Sequence, residues 1–170
     1  MRSSLVALCC MALGACAGPD ISGGPLSHGA SPGNVTCLGT SSGMNGAAVR
    51  TTNATRSRSG LSPLQSDTVL AKAAAQHACD MARLGRMSHR GSATSSPADR
   101  VKAGGYRPRL VAENIAAGPY DMDQVLRVWT DSPGHLGNIM IPQLRDFGIG
   151  QAIGADGRTR YWTAVYATPE

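Results

Sequence analysis

The last quarter of the chain changes its hydrophobic period, and that change limits the fold more than any other feature. Beyond Pro142, the residues Phe147, Ile149, Gln151 and Ile153 alternate, Asp156-Gly157 offers a tight turn, and Tyr161 to Ala167 runs back. A period of two marks strands, and an Asp-Gly pair between them marks a hairpin. Upstream the period is helical: Leu70, Ala73, Ala74, His77, Met81 and Leu84 recur at steps of three and four, which is one helix face. Ser66 is the expected N-cap of that helix, Asp67 suits the positive end of its dipole, and Gly85 ends it. His77 falls on the apolar face and is expected as a packed, hydrogen-bonded core residue outside any site. Ser96-Pro97 opens a short second helix that Gly104-Gly105 stops, and Leu110 to Ala117 reads as a strand. Asp121 caps a third helix, whose face is Met122, Val125, Leu126 and Trp129 and which Pro133 is expected to end. Helices followed by a closing hairpin imply an α+β fold, a mainly antiparallel sheet with helices packed on it.

The N-terminus reads as export machinery. Arg2 precedes a short apolar run from Leu5 to Leu13, and Leu13-Gly14-Ala15-Cys16 resembles a bacterial lipobox. Residues 1–16 are therefore expected to be a lipoprotein signal peptide, with Cys16 lipidated and anchoring the chain to a membrane. Ala17 after the cysteine would permit sorting to a Gram-negative outer membrane. An ordinary signal peptide cut after Ala15 or Ala17 is the alternative, giving a secreted protein, and either route leads out of the cytoplasm. Residues 17–46 are rich in Gly, Ser, Pro and Ala and read as a flexible tether. Within them Gly39-Thr40-Ser41-Ser42-Gly43 matches G-x-S-x-G without a preceding strand, and is taken as chance. Residues 47–170 form the single domain that a chain of 170 residues supports. Of the five cysteines, Cys37 and Cys79 remain in the mature chain. In an oxidising compartment they suggest one disulfide, the alternative being two free thiols. The net charge is +5, yet no basic stripe interleaved with aromatic residues occurs, so nucleic acid is not an expected partner.

Chemistry-bearing residues concentrate between Glu113 and Met140. Glu113 stands in an apolar Ile-Ala-Ala context, and His135 follows a proline turn. His89, in a Met-Ser-His-Arg-Gly turn, is the candidate to complete a cluster with both.

With these residues in view, the chain resembles a bacterial member of the CAP superfamily, which takes in cysteine-rich secretory proteins, venom allergens and plant pathogenesis-related class 1 proteins. The resemblance rests on an ordered set of short motifs. These are Asn53-x-x-Arg56, Gly60-Leu61-Ser62-Pro63-Leu64, Asp80-Met81-Ala82 and Ser88-His89. Ala103-Gly104-Gly105-Tyr106, Glu113-Asn114-Ile115-Ala116 and Trp129-x-x-Ser132-Pro133-Gly134-His135 come next, then Asn138-Ile139-Met140, Gly148-Ile149-Gly150 and Tyr161-Trp162-Thr163. It implies a three-layer α–β–α sandwich (the CAP, or SCP, fold) with a small antiparallel sheet. It also implies a cleft lined by two histidines and two acidic residues. His89, His135 and Glu113 take three of those places, while the second glutamate is expected three residues after the tryptophan, where this chain has Ser132 preceded by Asp131. Leu136-Gly137 after His135 leaves the cleft mouth less basic than in bacterial relatives.

Three readings of the cluster follow. The first is a binding module whose cleft takes a small ligand, lipid, peptide or envelope partner, with no cofactor required and zinc or another divalent metal possible at His89 and His135. In the second, a metal-assisted hydrolase, Glu113 acts as general base. The third makes the cluster structural, with Asn114, Trp129 and Asn138 as buried braces.

Overall fold

The computed structural model describes residues 34–170; the expected signal peptide, Cys16 and the first part of the expected tether lie outside the described residues. The elements run β1 (Thr36–Cys37), α1 (Ser42–Ser57), β2 (Gln65–Ser66), α2 (Thr68–Leu84), α3 (Pro97–Ala103), β3 (Pro108–Gly118), α4 (Met122–Asp131), α5 (Pro133–Ile139), β4 (Asp146–Ile153) and β5 (Arg160–Pro169). The sheet has the order β1-β4-β5-β3, antiparallel throughout, and β2 adds a short parallel pairing to β4. The expected α+β sandwich is the observed one.

Three local expectations change, and one, that the G-x-S-x-G match is chance, stands. The expected tether cannot extend to residue 46, because Cys37 pairs with Ala152 of β4 and is disulfide-bonded to Cys79 of α2. Ser41, in the G-x-S-x-G match, accepts a hydrogen bond from Met44 N–H and is the N-cap of α1. Ser66 cannot cap α2, since it belongs to β2 and pairs with Phe147; Asp67 does so, its Oδ1 accepting from Leu70 N–H at 2.8 Å. Finally, Pro133 does not merely end a helix. It occupies the first turn of α5, where its missing N–H costs nothing, so the segment carrying His135 is helical rather than a bend.

Two helical layers enclose the sheet. On one face α1, α4 and α5 bury Ala48, Leu126, Trp129 and Ile139 against Phe147, Ile149, Trp162 and Tyr166. On the other, α2 and α3 cover Val165, Ala167, Ala152 and Ile115 with Leu70, Ala74, Val101, Ala78 and Met81. α2 lies directly on β4, and glycine makes that possible. A Cβ on Gly148 would stand 2.1 Å from Ala71 N, and one on Gly150 would stand 2.1 Å from Ala75 N. Both contacts are with helix backbone, which cannot rotate away.

Arg56 and Asn53, paired in the sequence motif, bind backbone. Arg56 is fully buried and donates to Ser62 O, Ile139 O and Ile141 O, tying the end of α1 to the end of α5. Asn53 both donates to and accepts from Leu64.

Gly150→Ala is expected to destabilise the domain by about 3 kcal/mol or more, through overpacking against unyielding backbone. Gly134→Ala in α5, where a Cβ meets nothing within 4 Å, should stay within about 0.5 kcal/mol of wild type. Urea denaturation of both variants checks the contrast.

Candidate functional site

Strand β3 is an edge of the sheet, and its alternation sends neighbouring residues to opposite layers. Glu113 faces α2 and α3; Asn114 faces α5. The free edge of β3 is not left bare. Trp129 Nε1 donates to Ile115 O at 3.3 Å, and Asn138 Nδ2 donates to Glu113 O at 3.1 Å and to Asn114 Oδ1 at 2.8 Å. Asn114 in turn donates to His135 O and lies 3.3 Å from the Tyr166 hydroxyl. These side chains satisfy edge carbonyls that would otherwise recruit another strand.

Glu113 is the centre of the cluster, with its side chain only 1% exposed. Its Oε2 takes a hydrogen bond from Arg100 Nη2 at 2.5 Å, and its Oε1 takes one from His89 Nδ1 at 2.8 Å. Arg100, on α3, also donates through Nη1 to His89 O, which fixes the loop that carries the histidine. A buried carboxylate needs such a cation and such hydrogen bonds, because an unpaired charge away from water is heavily penalised. The side chain of His89 is 58% exposed, so Glu113 holds one ring nitrogen and the other faces solvent.

His77 belongs to this assembly as well, against expectation. Its ring is buried, and Nε2 lies 2.8 Å from Ser88 O and 3.8 Å from Glu113 Oε1. A carbonyl only accepts, so Nε2 carries the proton. Burial, partly opposed by Glu113, lowers the His77 pKa; the ring is neutral at neutral pH and makes no ion pair with Glu113 despite its proximity.

His135, on α5, is half-buried, and its Nδ1 is enclosed without a hydrogen-bond partner. Its pKa is lowered by burial and then by the nearby charge of His89, and its backbone carbonyl accepts from Asn114, the β3 neighbour of Glu113. His89 moves the other way: its pKa is raised by the hydrogen bond to Glu113, against some desolvation. Asp131 and Ser132 do not join them. Asp131 is exposed at the end of α4, and Ser132 is the backbone link into α5 without a side-chain cap bond. Arg100 is the functional residue that sequence reasoning missed. The available signal was Glu113 itself, since an acid within an apolar strand demands a cation on the covering layer.

This geometry corrects the role expected for Glu113. With both oxygens occupied and no access to solvent, it cannot serve as general base on a water, and it orients His89 instead. Nor do the residues fit a resident zinc. A catalytic zinc takes three protein ligands, whereas the pairing of Glu113 with Arg100 and His89 leaves two imidazoles. Among the described residues no three His, Cys, Asp or Glu side chains come together as a metal site.

Comparison with known proteins agrees with the fold. A family model described as CAP, the cysteine-rich secretory protein family, matches residues 49–166. The uncharacterized protein YkwD of Bacillus subtilis is 36% identical over 102 residues, 60% of this chain and 40% of that protein, so the chain spans well under half of that relative. An extracellular protein containing an SCP domain from Bacillus anthracis superposes with a TM-score of 0.63 at 28% identity, over 74% of this chain and 41% of its own. An outer surface protein of Borrelia burgdorferi shares the fold at a TM-score of 0.68 and 18% identity, over 81% of this chain and 99% of its own.

The opposed histidine shifts carry a sign. Stability from neutral His77 and His135 is present above the unfolded value of about 6.5 and lost as pH falls through their lower folded values. The His89 contribution is present below about 6.5 and lost as pH rises through its higher folded value. Histidine-resolved NMR titration should therefore place His89 above, and His77 and His135 below, the free imidazole pKa. Glu113→Gln should bring His89 down while leaving the other two low.

Proposed function

The chain belongs to the CAP (cysteine-rich secretory protein) family, and on that footing we propose that it is an exported binding module rather than an enzyme. Its ligand would be a short peptide or another small amide-bearing molecule. The observation that carries this reading is the enclosure of Glu113. Its carboxylate does no chemistry on a ligand but takes the Nδ1–H of His89, so that Nε2 of that exposed ring is left for a ligand, an acceptor when the ring is neutral and a donor when it is protonated. A peptide group, with a carbonyl to receive and an N–H to give, meets that nitrogen in either state. Met87, 53% exposed, and half-buried Leu136 stand next to the histidines in sequence and supply apolar flanks.

A hydrolytic reading draws on the same pair, since a carboxylate-oriented histidine is the arrangement of a general base. Among the described residues, however, no Ser, Thr or Cys hydrogen-bonds to the ring of His89 or His135, and an activated nucleophile requires that contact.

Binding is tested by selecting peptides from a display library on the full chain, then measuring their affinities by calorimetry. His89→Ala combined with His135→Ala is expected to weaken the selected peptides by about tenfold or more, as loss of one or two hydrogen bonds requires. Unchanged affinity would reject the cleft as the binding site, and turnover of the peptides would reject the non-enzymatic reading.

Export and lipid anchoring at Cys16 are part of the proposal, supported by the lipobox-like Leu13-Gly14-Ala15-Cys16. The extracellular and outer-surface descriptions of the structural neighbours agree with a place in the cell envelope. Cys16→Ser in a bacterial host should shift the protein from the membrane to the soluble fraction; continued membrane association would rule out the lipid anchor.

A further inference from the structure

A groove of about 540 Å³ runs along α2, between that helix and the segment from Cys37 to Ser42. Its size falls within the roughly 300–1,000 Å³ of ligand sites, and it shares no residue with the histidine cleft. Small apolar groups make its floor: Leu38, Ala71, Ala75 and the disulfide between Cys37 and Cys79, which ties the far wall to the helix. No Asp or Glu lines it.

Two cations do. Lys72 and Arg83 are separated by about three turns of helix, so they project to the same side of α2 at about 16 Å from one another along its axis. Both are exposed, and among the described residues neither forms an ion pair. The acids of this helix are engaged elsewhere: Asp67 caps its first turn, and Asp80 takes both the N–H and the hydroxyl of Ser92. The groove therefore carries a positive charge toward each end of an apolar floor, with no counter-charge in its lining. Its rim adds Ser42, Thr68 and Gln76, exposed and uncharged groups that can both give and accept hydrogen bonds.

That order of groups selects among occupants. A single acyl chain with an acidic head would match one cation and none of the rim. A nucleic-acid strand would set phosphates over the apolar floor. An extended peptide rises about 3.3 Å per residue and returns to the same face every second residue, so acids about four or six residues apart reach Lys72 and Arg83 together. Small apolar side chains between them meet Ala71 and Ala75, and the peptide backbone meets the hydroxyls and the amide of the rim. We propose that this groove docks an extended acidic segment of a partner protein, with one carboxylate on Lys72, one on Arg83 and small apolar residues between.

The test uses the isotopically labelled full chain and two terminally blocked peptides, Glu-Ser-Val-Ser-Glu and Glu-Ser-Val-Ser-Val-Ser-Glu. Saturable shifts are expected in the amides of Leu38, Gly39, Lys72, Gln76 and Arg83 with one or both. Replacing both glutamates by glutamine should weaken binding by about tenfold, the loss of two exposed ion pairs, and raised salt should weaken the acidic peptide alone. Arg83→Glu and Lys72→Glu, at exposed positions without a folding burden, should each weaken the acidic peptide by about fivefold or more. A peptide with lysine in place of one glutamate should regain affinity for either variant. The proposal is overturned if neither acidic peptide saturates, if the glutamine peptide binds as well, or if the charge swap restores nothing. Shifts confined to the amides of His89 and Leu136 would move the peptide to the histidine cleft and equally reject the groove. Saturation by decanoate without saturation by either peptide would make the groove an acyl-chain site and reject the acidic segment.

Discussion

An acid withdrawn from water must be answered by a cation, and in this domain that demand links three separate pieces of chain. Glu113 sits on the sheet edge, Arg100 on the short helix α3, and His89 on the loop between α2 and α3. Removing either member of a buried pair strands the other, at a typical cost of about 3–5 kcal/mol. The pair therefore does more than tune a histidine. It pins α3 to β3 and, through Arg100 and His89 O, it holds a long irregular loop that has little hydrophobic surface of its own.

Around this centre the two faces of β3 divide the labour. The α2–α3 side is electrostatic, with His77, Arg100 and His89 gathered about Glu113. The α4–α5 side is a hydrogen-bonded frame in which Asn114, Asn138 and Trp129 tie helix to strand edge. His135 is tied to β3 from the second layer through Asn114, and His89 from the first through Glu113. Their unlike pKa shifts follow from that difference of origin: one histidine leans on a carboxylate, and the other on apolar packing and its neighbour's charge.

Most of the framework was legible in residue order. Long helix α2, the cap-and-proline start of α3, the strand around Glu113 and the closing hairpin all announce themselves by period and by turn chemistry. What escaped has a common cause, in that it depends on partners distant along the chain. β1 and β2 are two residues each and exist only because β4 offers an edge to pair with. Pro133 reads equally as a stop or as a start, and only the packing of Ile139 decides for a new helix. Arg100 looks like one more charged residue on a short polar helix until β3 brings Glu113 beneath it. His77 reads from its own helix as a core residue, which it is; nothing in that helix tells that the core there is ionic.

The alternation along β3 also makes the chain intolerant of slippage. A shift by one residue would turn the Glu113 carboxylate into the aromatic layer of Trp129, Trp162 and Tyr166, and would place the Asn114 amide against Arg100. Neither arrangement can neutralise the acid. The charged centre thus sets an energetic penalty on every alignment of β3 that would strand the acid away from Arg100.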